Sequence, residues 1–203
     1  MKIILTAFDD ALEDAWNKFC GNLDCVEVYR GSILDVACDA VVSPANSYGY
    51  MDGGIDMVYS KHFGWGVQER LQTVIKTDHR GQLLVGQAQL VETENNLIPY
   101  LISAPTMRVP QTLHNSANPY LAMRAILILI AHGEYGGVPV SEMIETVAVP
   151  GLGTGVGEVH PVVCAKQVQF AIKEVVYHKA EFPDSWLSAQ ALHYDLVQEP
   201  RNA

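Results

Sequence analysis

Basic residues are scarce in this 203-residue chain: thirteen lysines and arginines stand against twenty-three aspartates and glutamates, leaving a net charge of −10. That balance opposes binding along an extended nucleic-acid backbone or to an anionic membrane, both of which favour positive charge. Cysteine is sparse too. Cys20, Cys25, Cys38 and Cys164 lack CxxC spacing, so the thiols are expected to be reduced and the protein cytoplasmic. The most apolar run, Ala125 to Ala131, is too short to cross a bilayer. Met1 to Leu5 reads as a strand rather than a signal sequence.

Several motifs are also missing. None of the histidines at positions 62, 79, 114, 132, 160, 178 and 193 belongs to an HExxH or Cys/His zinc pattern, and no metal or cofactor is expected. There is no GxSxG nucleophile elbow, no GxGxxG and no P-loop, so serine-hydrolase, Rossmann and P-loop readings lose their fingerprints. No repeat, low-complexity tract or Pro/Gly/Ser linker divides the chain. With 49% hydrophobic and 18% charged residues, it fits one domain over residues 1–203, with 180–203 as an extension packed on it.

What is present is a pair of glycine-bearing loops. The first follows the apolar run Ala40 Val41 Val42, turns at Pro44, and offers Asn46, Gly49, Gly53 and Gly54 before a helical pattern begins near Ile55. The second follows Thr146 Val147 Ala148 Val149 with Pro150 Gly151 Leu152 Gly153 Thr154 Gly155 Val156 Gly157, ahead of a helix from about His160. A strand that delivers such a loop to a helix N-terminus presents backbone N–H groups and the positive end of a helix dipole, which suits phosphate. Each loop alone is equally an ordinary βα turn.

Strands are expected at Lys2–Thr6, Val26–Tyr29, Leu83–Glu92, Ile98–Ser103 and Thr146–Val149. Helices are expected at Asp9–Phe19, from near Ile55 to near Gly64, at Trp65–Thr77, from Ser116 or Asn118 to His132, and at Pro161–His178. This alternation predicts an α/β class protein, a three-layer α/β/α sandwich around a mixed sheet. The loop from Ala104 to Asn118 then lies at a strand's carboxyl end, where such sheets bind ligands, and is a candidate rim. Arg108 in it is a candidate phosphate contact or a solvated side chain. Gln68, Glu69 and Arg70 read as a solvated helix face, and residues 134–145 as a surface connection.

The residues from Gly31 to Leu34, from Asp39 to Asn46 and from Gly53 to Asp56 lie without a gap over a known pattern, GDIT followed by DAIVNAANxxLxGGGGVD. Pro150 to Pro161 lies over PxxSTGVYGxP with one extra residue, and Leu101 to Pro105 resembles the intervening HTVGP strand. On these residues the chain resembles the macrodomains, which bind ADP-ribose. The resemblance implies a macrodomain-like sandwich with ADP-ribose, or an ADP-ribosylated substrate, as partner. It implies ligand contacts from Ser32, Ile33, Gly53, Gly54, Ile55, Gly153, Thr154, Gly155, Val156 and Gly157.

In family members that are ADP-ribosyl hydrolases, an asparagine at the position of Asn46 contacts the distal ribose, and an aspartate at the position of Asp56 helps activate water. Those two are therefore the candidate catalytic pair, for removing ADP-ribose or an acyl group. A reader that binds without turnover is the alternative. Asn46 can equally satisfy its own turn, and Asp56 can favour its helix N-terminus. The chain departs from the pattern at Ser32, where the family carries an adenine-binding aspartate. It departs again at Met51 and Asp52, where the glycine run is interrupted, and at Gly157, where an aromatic residue often stands. Ser32 reads equally as a turn residue.

Overall fold

Residues 1–180 and 182–198 are described by the computed structural model. In chain order the elements are β1 (Lys2–Ala7), α1 (Asp10–Phe19), β2 (Val26–Arg30), a 3-10 turn (Ile33–Asp35), β3 (Ala40–Ser43), α2 (Gly54–Phe63), α3 (Gly66–Thr77), β4 (Gln89–Glu92) and β5 (Tyr100–Ser103). Then follow α4 (Asn118–His132), a β6–β7 hairpin (Glu134–Tyr135 with Val138–Pro139), α5 (Val140–Met143), β8 (Thr146–Val149), α6 (Pro161–Val175) and α7 (Trp186–Val197). Six strands form one sheet in the order β2-β1-β8-β3-β5-β4. All neighbours are parallel except β4, which pairs antiparallel with β5 at the edge.

The near-continuous apolar strands follow from burial on both faces. Side chains alternate along a strand, so Ile3, Leu5, Ala40, Val42, Ile102, Val147 and Val149 enter one core, with Trp16 of α1 and the inner faces of α4 and α6. Ile4, Val41, Leu101 and Ala148 enter the other, with Tyr59 of α2 and Val67, Leu71 and Ile75 of α3. The result is the mixed-sheet α/β/α sandwich. Because five strands run the same way, their carboxyl ends share one edge, and the loops after β1, β3, β5 and β8 meet there.

Side-chain caps mark the starts of α1, α6 and α7. Asp9 caps α1, its Oδ1 accepting from Leu12 N at 2.9 Å. At α4 the cap position is Ala117, with no side-chain cap; Ser116 Oγ accepts from Asn118 N at 3.1 Å in the turn before it, so neither Ser116 nor Asn118 is the cap.

Three boundaries differ from expectation. The strand expected at Leu83–Glu92 is confined to β4. Before it, Leu83 N donates to Ser47 O, Gln87 N donates to Leu84 O, and Gly86 has φ 91°, so the chain turns rather than extends. The strand expected from Ile98 starts at Tyr100, because Asn95 Oδ1 holds the N–H groups of Leu97 and Ile98 in a turn. The helix expected to reach His178 stops at Val175; His178 has φ 53° and Lys179 N bonds Lys173 O.

The connection expected over 134–145 is a hairpin and a helical turn, with Val140 and Ile144 buried beneath it. In the C-terminal stretch, α7 places Leu196 and Val197 inward, and Gln167 of α6 donates to Leu196 O at 3.1 Å. Lys166 also pairs with Asp195 at 2.8 Å. Residues 181 and 199–203 of the expected extension lie outside the described residues.

Candidate functional site

A cleft of about 320 Å³ opens at the shared carboxyl edge of the strands. Its walls are the two glycine loops. Asn46 and Asp52 to Asp56 come from the first, and Pro150, Gly151 and Gly153 to Gly157 from the second. Thr6, Phe8, Asp9, Leu12 and Ile33 line it where β1 ends, and Thr106, Met107 and Pro110 line it where β5 ends. The candidates that converge on this cleft are Asn46, Asp56, Ile33, Gly53, Gly54, Ile55, Gly153, Thr154, Gly155, Val156 and Gly157.

Ser32 is not on the wall. Its hydroxyl caps the 3-10 turn by accepting from Leu34 N at 3.3 Å, which is the turn role rather than a contact into the cleft. Arg108 is also turned away: its Nε donates to Gln82 Oε1 at 2.9 Å, its guanidinium lies 5.3 Å from the Tyr48 ring centroid, and it also donates to the Tyr48 hydroxyl. His160 caps α6, with Nδ1 accepting from Val162 N at 3.3 Å.

The first loop is held from both sides. Met51 is fully buried; its N–H donates to Gln68 Oε1 at 2.7 Å, and its carbonyl accepts from Ser60 Oγ at 2.8 Å. The Met51 N–H is therefore committed inside the protein. Gln68 is thus not part of a solvated face, and neither is Arg70, which bonds Glu92 O at 2.9 Å and pairs with Glu94 at 2.9 Å. Within the loop, Asn46 Oδ1 accepts from Tyr48 N at 3.1 Å and Tyr50 N at 3.3 Å, while its Nδ2 donates to Tyr50 O at 2.9 Å. That use of the amide satisfies its own turn and leaves one N–H.

Gly54 opens α2 with φ 53°, a left-handed conformation that favours glycine. The second loop closes on itself so tightly that a Cβ on Gly157 would lie 2.5 Å from Gly153 O. The absence of an aromatic residue at 157 therefore follows from the backbone path. Gly155 is different, since a Cβ there would meet nothing within 4 Å.

Asp56, in the first turn of α2, is only 8% exposed. Ser43 Oγ, at the end of β3, donates to its Oδ1 at 2.5 Å. Burial pushes the Asp56 carboxyl up to about 7; the Ser43 hydrogen bond opposes that rise and the negative charge of Asp52 adds to it. A carboxyl poised near neutrality on the wall of a cleft can take up or release a proton during a reaction. The described residues contain no group of three or more His, Cys, Asp and Glu side chains arranged for a metal, and no helix among them is long and apolar enough to cross a membrane.

Phe8, Tyr50 and Thr106 joined the site without being singled out beforehand, and Asp52, noted as an interruption of the glycine run, lines it too. Phe8 is 75% exposed at the end of β1. Its exposure is a property of the fold, and no sequence signal marks it.

A family model described as Macro domain matches residues 42–168, which contain both glycine loops. An uncharacterized protein of Aquifex aeolicus (strain VF5) is 31% identical over 149 residues, spanning 73% of this chain and 81% of its own. Among solved structures, the macrodomain of Mycobacterium tuberculosis DarG is similar with a TM-score of 0.58 at 21% identity, covering 71% of this chain and 87% of that one. A mutant Oceanobacillus iheyensis macrodomain with ADPR has a TM-score of 0.56 at 15% identity, covering 70% and 73%. At these identities the structural likeness establishes the fold.

Proposed function

Because the chain belongs to the Macro domain family, we propose that its cleft binds ADP-ribose and hydrolyses an ADP-ribosyl adduct or an O-acyl-ADP-ribose. The observation that carries this reading is the pair of backbone-rich glycine loops facing one another across a single cleft, with a buried carboxylate at one end. The diphosphate lies between residues 53–55 and 153–156, where backbone N–H groups and the α2 N-terminus supply the donors. The solved Oceanobacillus iheyensis relative with ADPR supports this choice of ligand.

The adenine end is at Phe8 and Ile33. A base stacked on an exposed aromatic ring contributes about 1–3 kcal/mol without reading base identity. With Ser32 committed to its turn, discrimination between adenine and hypoxanthine is modest. The distal ribose lies at the other end, against Asn46.

There Asp56 accepts a proton from water as the water oxygen bonds to the anomeric carbon. The bond from that carbon to the acceptor atom breaks, and the acceptor leaves with a proton, so that ADP-ribose and the unmodified acceptor are the products. For an O-acyl substrate the water attacks the acyl carbon instead, the bond from that carbon to the ribose oxygen breaks, and the ribose oxygen takes a proton, giving the carboxylic acid and ADP-ribose.

The reader function is the rival, and two observations favour it. Asn46 is largely committed to its own loop, and Asp56 shows little surface to the cleft. The test is to incubate the protein with mono-ADP-ribosylated protein, ADP-ribosylated nucleic acid and O-acetyl-ADP-ribose, and to follow release of ADP-ribose or acetate. Turnover of one of these is the expected result. Tight binding of ADP-ribose with no turnover of all three would establish the reader instead.

A further inference from the structure

The charged side chains that line the cleft are Asp9, Asp52 and Asp56, and its described wall has no lysine, arginine or histidine. Two of these carboxylates are already engaged: Asp9 caps α1, and Asp56 is buried against Ser43. Asp52 is exposed, on the loop that also carries Asn46 and Tyr50. The sheet order fixes which end this is. The loops after β3 and β5 lie together on one side, while Phe8 and Ile33 follow β1 and β2 on the other.

A diphosphate in this cleft is held by neutral backbone donors, so Asp52 is not needed to balance a local excess of positive charge. It lines the same mouth as Asn46 and Tyr50, where the reading above puts the distal ribose, and so is available to whatever that ribose carries. Tyr50 beside it is 56% exposed and offers a ring face.

On the reading of the site given above, we propose that this mouth selects ADP-ribose carried on a cationic acceptor, with an arginine guanidinium as the preferred chemistry. A guanidinium keeps its positive charge when one nitrogen is glycosylated, whereas serine, glutamate and aspartate give neutral linkages. Its planar fork can bond a carboxylate through two N–H groups and lie over an aromatic ring. Acidic residues flanking the acceptor would meet Asp52 with like charge, so specificity comes as much from rejection as from attraction.

The experiment compares three ligands: free ADP-ribose, a peptide ADP-ribosylated on arginine, and a peptide of matching sequence ADP-ribosylated on serine. Affinity is measured by calorimetry, with relative kcat/KM for any peptide that is turned over. The arginine-linked peptide should be preferred by about fivefold at low ionic strength, the scale of a single exposed charge pair. Most of that preference should vanish at about 0.5 M salt, where the screening length is only a few ångströms.

Asp52→Asn should remove the preference and tighten free ADP-ribose, two effects of opposite sign that a general disturbance of the loop would not produce together. Equal treatment of the two peptides, or a preference that survives Asp52→Asn, would overturn the proposal while leaving ADP-ribose binding standing. Failure of free ADP-ribose to bind would overturn the site assignment itself, and this inference with it.

Discussion

Gly155→Phe should weaken ADP-ribose binding by at least ~100-fold, equivalent to about 2.7 kcal/mol, while the protein keeps its fold. Gly155 lies on the cleft wall, and a Cβ built on it meets no atom within 4 Å, so a side chain there extends into open space rather than into the protein. A phenyl ring would occupy space assigned to the phosphates and hold them away from the backbone N–H groups. Unchanged melting, read by circular dichroism, would separate lost binding from lost structure. Gly157→Ala is the contrasting variant. Its Cβ would sit 2.5 Å from Gly153 O, so it should destabilise the loop itself. A folded Gly155→Phe protein that binds ADP-ribose normally would place the diphosphate elsewhere.

Asp56→Asn should lower turnover by about 10²- to 10⁴-fold, the range for loss of a positioned acid or base, while ADP-ribose affinity changes by only a small factor. A proton acceptor acts mainly in the transition state, so the loss should fall on kcat and kcat/KM together. With the Asp56 carboxyl near 7, wild-type turnover should rise with pH through neutrality as the acceptor form accumulates. Ser43→Ala removes the hydrogen bond that opposes the burial effect, so it should move that rise to higher pH.

Stability should respond in the opposite sense to turnover. The folded carboxyl holds its proton up to about 7, whereas an unperturbed aspartate releases it near 3.8. Between those limits the native state binds more protons than the unfolded chain, so folding weakens as pH rises through the window. Asparagine has no proton to lose. Asp56→Asn should therefore stabilise the protein by up to about 4 kcal/mol above pH 7, and the gain in Tm should be larger at pH 8 than at pH 5. A Tm gain independent of pH would mean that Asp56 is not held near neutrality, and unchanged turnover would remove it from the reaction.

Features governed by local periodicity were legible before the structure. Val41 between Ala40 and Val42, and Ala148 between Val147 and Val149, read as buried strands because each residue faces one of two packed cores. Asp9 announced α1 because a capping side chain acts within three residues. The two glycine loops were legible for the same reason, since each is a short segment between a strand and a helix. By contrast, Gln68 and Met51 are 17 residues apart, and their bond depends on how α3 docks on the first loop. The helical pattern of α3 carries no information about that docking. Leu83 suggested a strand through its hydrophobicity, yet it is buried from a turn, with its N–H given to Ser47 O rather than to a neighbouring strand. Phe8 was hidden by its place at a strand end, where an apolar residue normally goes inward.

The central claim is that the two glycine loops form one ADP-ribose site. Isothermal calorimetry of the wild-type protein with ADP-ribose, AMP and NAD tests it most directly. The account predicts one site per chain, with ADP-ribose bound more tightly than AMP because the second phosphate and the distal ribose gain contacts at residues 53–55 and 46. NAD places its positively charged nicotinamide at the end of the cleft lined by Tyr50, Asp52 and Met107, so it reports on that end rather than on the diphosphate. Absence of ADP-ribose binding, or AMP bound as tightly as ADP-ribose, would contradict it.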